Sequence, residues 1–113
     1  MNTFELRLHS KFFELIKQGT KTIEMRLLDE KRQEYQIGDI LIFKKRPEET
    51  EIIKTKIINL HKFKTFAEIY KNFNKVLLGY SENEDANPND MQQFYSVEDQ
   101  EKYGVVGIEI ELI

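Results

Sequence analysis

The sequence predicts an α+β fold, a small β-barrel of about five to six strands with three or four short helices. Several segments alternate apolar and polar side chains with the period of two that is typical of strands. Other segments begin with residues that cap helices, and these argue against an all-β sandwich. The 113 residues are the usual size of one domain, which we expect to span residues 1–113.

The first half of the chain predicts four strands and one helix. The helix begins at an N-cap, Ser10, and ends at Gly19, which suits the left-handed conformation that closes many helices. In the last strand of this half, the alternation of apolar and polar side chains is imperfect. Lys54 and Lys56 fall on the same predicted face as two isoleucines, and a β-bulge would explain this. The predicted strands cover residues 4–8, 21–27, 40–44 and 52–63.

The second half predicts three short helices and a closing strand. The helices begin at Thr65, at Asn87 and at Ser96, each of which is a good N-cap residue. Residues 74–88 have the least regular pattern of the chain. Residues 106–112 alternate and predict the closing strand.

Composition indicates a globular protein and excludes several classes. Hydrophobic residues make up 40% of the chain and charged residues 33%, which is not typical of disorder. No apolar run approaches the ~20 residues that a membrane span needs, and the amino terminus lacks the pattern of a signal peptide. The absence of cysteine excludes disulfides and thiolate metal sites. We therefore expect a cytoplasmic protein that does not act at a membrane.

The charge is unevenly distributed along the chain. The net charge is −3, but residues 1–64 hold 14 Lys and Arg against 10 Asp and Glu, and residues 65–113 hold 3 against 10. A basic face on an acidic body follows from this division. Extensive binding of duplex DNA is not expected, because it requires many cations along the phosphate backbone. One nucleotide or a short single strand is compatible with this distribution.

The most informative stretch is residues 19–26, where a strand follows directly on a helix-ending glycine. Within that strand Thr22, Glu24 and Arg26 share one face, and the apolar residues that alternate with them form the expected core face. Together with Lys21, they place two cations and a carboxylate on a rigid element. Such a set suits the recognition of a polar, planar group such as a nucleobase, or of its phosphate.

Each of these charged residues has a simpler alternative. Lys21 is either a phosphate clamp, a general base or nucleophile, or an ordinary surface lysine. Glu24 and Arg26 are either an ion pair in a binding groove, an exposed pair worth under ~1 kcal/mol, or a structural lock. Burial distinguishes these interpretations, because removing one partner of a buried pair lowers the free energy of unfolding by roughly 3–5 kcal/mol.

Three further residues are candidates for ligand binding. His9 and Lys11 lie where the first strand meets the helix, so that an anion or a base could be held there. The alternative for His9 is that it only caps a carbonyl group. Tyr103 either walls the groove or packs on the end of the barrel. No metal site is expected, since the two histidines lack ligand spacing.

Two charged segments have open roles. A basic hairpin either follows a nucleic-acid backbone or is an edge that resists aggregation, and we prefer the second interpretation. An acidic loop over residues 80–88 contains Glu82 and Glu84 and is otherwise typical of a solvent-exposed loop. The hairpin cations are Lys44, Lys45, Arg46, Lys54, Lys56, Lys62 and Lys64.

The pattern G-x-K-x-x-E-x-R after a short helix resembles the signature of the ASCH domain family, small β-barrels related to the PUA RNA-binding domains. The turn over residues 35–39 and the closing strand that begins near Tyr103 extend the resemblance over nearly the whole chain. It implies a PUA-like barrel that binds RNA, a nucleotide or a modified nucleoside in a groove lined by residues 19–26. It implies no cofactor.

The same resemblance implies an alternative function. Some small ASCH proteins hydrolyse the amide of acetylated cytidine with the motif lysine, a threonine three residues later and a loop glutamate; others are associated with RNA cleavage. Lys21 matches the lysine, Glu82 or Glu84 is the nearest match to the loop acid, and Glu24 stands where the threonine is expected. A Lys21–Glu24 acid–base pair would then serve a metal-independent hydrolase. We predict binding, with hydrolysis as the alternative.

Overall fold

The computed structural model describes residues 1–113 and confirms the predicted α+β fold. The strands are β1 (Thr3–Leu8), β2 (Ile23–Leu27), β3 (Ile40–Lys45), β4 (Ile52–Phe63) and β5 (Val105–Leu112). The α-helices are α1 (Ser10–Lys17), α2 (Phe66–Asn72), α3 (Lys75–Leu78) and α4 (Val97–Tyr103). Two 3-10 turns cover Arg32–Glu34 and Pro88–Gln93. None of these helices has the length and apolar character needed to cross a membrane.

The five strands form one sheet, curved into a half-barrel, in the order β1-β3-β4-β5-β2. β1 runs parallel to β3, and every other neighbouring pair is antiparallel. The edges of the sheet are therefore β1 and β2, the strand that carries the charged motif. The β-bulge expected in β4 is confirmed as a shift in register between Ile57 and Asn59.

Two apolar clusters hold the helices to this sheet. In the first, Phe13 and Ile16 of α1 are completely buried against β3, β4 and β5. In the second, Phe66 and Ile69 of α2 pack with the apolar side of β2. Burial of each such side chain contributes roughly 1.5–3 kcal/mol. The packing of α1 fixes the chain just before β2, which determines where the motif side chains lie.

Three expectations of local structure were wrong. The N-cap of α1 is His9, not Ser10: its Nδ1 accepts a hydrogen bond from the backbone N–H of Lys11 at 3.1 Å. The irregular segment 74–88 contains α3, which Asn74 caps. The basic hairpin of β3 and β4 is not a sheet edge, because both strands have partners on either side. Its exposed lysines therefore do not protect an unpaired strand.

Candidate functional site

Lys21 is buried, with a side chain only 3% exposed. Its ammonium group donates hydrogen bonds to the carbonyl oxygens of Ile23 and Leu78, both at 2.8 Å, and lies 3.3 Å from Oε1 of Glu24. Three acceptors thus match the three donors of the ammonium group. The bond to Leu78 joins the start of β2 to the end of α3, a structural role that the sequence left open.

Glu24 lies between two cations at the base of a cleft. Its Oε2 accepts hydrogen bonds from Nε and Nη2 of Arg26 at 3.0 and 2.9 Å, and its Oε1 faces Lys21. Arg26 also donates from Nη2 to the carbonyl oxygen of Arg7 at 3.3 Å, which links the two edge strands, β2 and β1. We call Lys21, Glu24 and Arg26 the buried charge cluster; it carries one positive charge more than its carboxylate neutralises.

Burial and neighbouring opposite charges shift the pKa values of these three groups in opposite directions. Burial alone would raise the pKa of Glu24, but attraction to Lys21 and Arg26 outweighs it and holds that pKa below its usual value. Burial lowers the pKa of Lys21, and Glu24 opposes the change. Burial also acts to lower the pKa of Arg26, yet Glu24 raises it overall. Glu24 is therefore the carboxylate that keeps two buried cations in place.

The buried charge cluster forms part of the floor of a cleft of about 760 Å³. The cleft lies between α1, α3, the edge strands and the segment from 79 to 95. Its charged side chains are five cations and three carboxylates: Arg7, Lys11, Lys21, Arg26 and Arg46, with Glu24, Glu84 and Asp90. A protein with net charge −3 thus places a net positive charge in this cleft.

Most, but not all, of the residues expected at the site line this cleft. The structure brings His9, Lys11 and Glu84 to it, together with the buried charge cluster. Glu84 pairs with Lys11 at 3.6 Å and accepts from the backbone N–H of Ser81, so it does not contact Lys21. Thr22, Glu82 and Tyr103 lie outside the lining of the cleft.

The residues that lie outside have other contacts. Thr22 extends the pairing of β2: its N–H donates to the carbonyl oxygen of Leu77, and its own carbonyl oxygen accepts from the N–H of Ile110. Tyr103 packs at the second apolar cluster, where the ammonium group of Lys102 lies 4.9 Å from its ring centroid. This position agrees with the second interpretation given above for Tyr103, in which it packs on the barrel and does not form a wall of the groove.

The aromatic side of the cleft was missed by the sequence reasoning. Its members are Phe12, Tyr70, Tyr80, Phe94 and Tyr95. The hydroxyl of Tyr80 donates to Oδ2 of Asp90 at 2.8 Å and lies 2.7 Å from the hydroxyl of Tyr70. Burial, with these hydrogen bonds, raises the pKa of Tyr80, so that it stays a neutral donor. The aromatic content of residues 66–95 was the available signal.

Two of these aromatic side chains differ in how firmly they are held. Tyr95 stacks on Phe66 of α2 with ring centroids 5.8 Å apart. Phe94 is 61% exposed, unusual for so large an apolar side chain. The cleft therefore offers one supported ring and one largely exposed ring, 6.4 Å apart between centroids, beside a cationic floor. No group of three or more His, Cys, Asp or Glu side chains is placed to hold a metal ion.

The comparisons with known proteins agree with this architecture. A model of the ASCH domain matches residues 6–113. The crystal structure of hypothetical protein PH0355 is similar, with 34% identity, a TM-score of 0.82, and 98% of this chain and 99% of that one covered. The solution NMR structure of protein PF0455 from Pyrococcus furiosus shares 32% identity at a TM-score of 0.70, covering 98% and 97%. No curated protein matches the chain.

The match to the ASCH model includes all five strands apart from the start of β1, and the motif of residues 19–26 lies within it. Both structural relatives exceed 30% identity over nearly their whole length. The chain therefore belongs to the ASCH domain family.

Proposed function

We propose that this domain binds a nucleotide of single-stranded RNA, or a related nucleoside, in the cleft over the buried charge cluster, and breaks no bond. The observation that carries the proposal is the pairing of a net positive floor with aromatic walls. Bases stack on aromatic side chains in most recognition of single-stranded RNA, while cations hold the phosphates. Membership of a family commonly associated with RNA binding supports the same conclusion.

Arg26 supplies the group that would meet the ligand. Its hydrogen bonds to Glu24 and to Arg7 use Nε and Nη2, and none uses Nη1. The side chain is 20% exposed, so Nη1 is accessible from the cleft while the rest of the guanidinium is fixed. A guanidinium held in this way recognises a phosphate or a base edge at little cost in side-chain entropy.

Hydrolysis of a nucleoside derivative is the alternative. Lys21, Glu24 and Glu84 line one cleft, and this supports it. However, a general base or nucleophile needs an unprotonated amine, and the three acceptors around Lys21 match its protonated form. Glu84 is engaged by Lys11. Binding therefore accounts for the contacts of Lys21 better than catalysis does.

Phe94→Ala tests the proposal directly. Loss of one base-stacking ring costs about 1–3 kcal/mol, so affinity for a short labelled RNA should fall about 5- to 150-fold in fluorescence anisotropy. Ile37→Ala is the control, because Ile37 is also exposed, at 64%, but lies outside the cleft. Equal affinity in wild type and Phe94→Ala would contradict the proposed site.

A turnover assay separates the two functions. The wild type is incubated with N4-acetylcytidine, with other acylated nucleosides and with RNA, and the products are followed by chromatography. We expect binding without product. Turnover that is lost in a folded Lys21→Ala variant would establish the hydrolase and overturn the proposal that no bond is broken.

A further inference from the structure

A second groove adjoins the cleft and is more strongly basic. It has a volume of about 530 Å³ and lies along β1, the segment between β2 and β3, and the end of β3. Six cations line it against two carboxylates: Arg7, Arg26, Lys31, Arg32, Lys44 and Arg46, with Glu5 and Glu34. We call it the basic groove. No residue of the motif other than Arg26 contributes to it.

The cations of the basic groove are of two kinds. Some are already neutralised: Arg32 by a bidentate pair with Asp29 at 2.8 and 2.9 Å, and Lys44 by Glu5 at 3.0 Å. Lys31 and Arg46 are exposed and make no ion pair within 4.0 Å. Two cations without partners in one concave surface form a ready site for an anion.

The basic groove and the cleft are continuous. Arg7, Arg26 and Arg46 line both of them. Between the two lies the contact of Arg26 with the carbonyl oxygen of Arg7, which spans the gap between the edge strands. Arg7 is paired with Glu49 at 2.7 Å and Arg26 with Glu24 at 2.9 Å, so Arg46 is the one of the three that has no ion pair. A ligand in the cleft can therefore extend into the basic groove along Arg46.

We propose that the basic groove is a phosphate subsite, which takes the phosphodiester next to the nucleotide in the cleft. This rests on the proposed function of the cleft. The ligand is then a single strand of at least two nucleotides, because a nucleoside alone has no phosphodiester to place beside Lys31 and Arg46. The wall of the basic groove is mainly charged, with three hydrophobic residues among eleven, which suits a sugar–phosphate backbone better than a second base.

The test compares ligands with and without a neighbouring phosphodiester. Cytidine, its 5′-monophosphate and a tetranucleotide of RNA are titrated against wild type and the double variant Lys31→Ala/Arg46→Ala at several salt concentrations. Affinity for the tetranucleotide should fall about 2- to 30-fold, the range for two exposed charge pairs. Its salt dependence should weaken by a slope of about 0.7, the contribution of one phosphate of a single strand. Affinity for cytidine should not change in Lys31→Ala alone, because Lys31 lines only the basic groove whereas Arg46 also lines the cleft.

Lys62→Ala/Lys64→Ala is the matched control, because it removes two exposed lysines that line neither groove. An equal loss in the control would show a general charge effect and overturn the subsite. So would unchanged tetranucleotide affinity in the test variant, or equally tight binding of an acidic peptide. In each of these cases, the RNA affinity of Phe94→Ala still tests the cleft independently. If the wild type binds none of the three nucleic-acid ligands, the proposed function itself fails.

Discussion

Two carboxylates that contact basic side chains lie on opposite faces of the same sheet, and only one of them is enclosed. Glu24 of β2 is opposite Ile108 of β5, whereas Glu109 is opposite Ile23, one register position further along. Their pairing distances are similar: 2.9 Å from Glu24 to Arg26 and 2.7 Å from Glu109 to His61. The Glu24 side chain is 8% exposed and the Glu109 side chain 33%.

On physical grounds, enclosure and the number of partners, not distance, should decide what each carboxylate contributes to stability. Glu24 has a second cation, Lys21, and water reaches it poorly, so loss of its charge would strand two cations. Glu109 has one partner, and water can replace that partner. In the proposed site, Glu24 would hold both cations in place before a ligand arrives, and such preorganisation favours recognition.

Glu24→Gln should have the largest effect on stability. The substitution keeps the shape of the side chain but leaves Lys21 and Arg26 buried without a counter-charge. We expect a loss of roughly 3–5 kcal/mol in the free energy of unfolding, measured by urea denaturation with linear extrapolation. Glu5→Gln is the control, because the Glu5 side chain is 57% exposed and should cost under about 1 kcal/mol. Similar losses in both variants would refute the distinction.

Gly79→Ala tests the packing over the buried charge cluster. Gly79 has φ 113°, and an added Cβ would lie 3.3 Å from both Cδ of Lys21 and Cδ1 of Phe12. Gly19 has φ 85° but open space around it, so Gly19→Ala measures the backbone strain alone, about 1–2 kcal/mol. Gly79→Ala should cost about 1–3 kcal/mol more, from overpacking. Equal losses in urea denaturation would indicate that Lys21 moves aside freely.

The pH dependence of stability should follow Glu24. Burial raises its pKa, but Lys21 and Arg26 together hold it below 4.5. A carboxylate with a lowered pKa stabilises the fold fully above its unfolded pKa, and this contribution is lost as the pH falls through the folded pKa. The stability difference between wild type and Glu24→Gln should thus be constant near neutrality and shrink below about pH 4.5. Urea denaturation across that range measures it, and a difference that grew on acidification would contradict the assignment.

The fold could be predicted because its signals are local. Gly19 and Thr65 end and begin helices through contacts within a few residues. The bulge in β4 was expected for the wrong reason: the two isoleucines that share a face with Lys54 and Lys56 are exposed, at 52% and 37%, and the register shift follows Ile57. Even the shared face of Glu24 and Arg26 follows from the period of two in a strand. These parts of the structure need no knowledge of distant residues.

The site could be predicted only in part, because its remaining contacts join distant segments. The burial of Lys21 depends on the carbonyl oxygen of Leu78, 57 residues away. Tyr80 and Asp90 are ten residues apart, on either side of the irregular chain that precedes the 3-10 turn of Pro88–Gln93, so no local period predicts their contact. Glu82 and Glu84 are equivalent in type, and only the turn at Ser81 directs Glu84 inward.

Glu109→Gln should have the smallest effect and complete the comparison with Glu24→Gln, since both substitutions remove one carboxylate charge from the same sheet. His61 keeps its ring contact with Phe73, at 4.7 Å between centroids, and water can solvate its free nitrogen. We expect a loss of about 0.2–1 kcal/mol in the free energy of unfolding by urea denaturation. A loss as large as that of Glu24→Gln would mean that geometry alone sets the strength of both pairs. Stability would then give no reason to regard the buried charge cluster as the rigid base of a binding site.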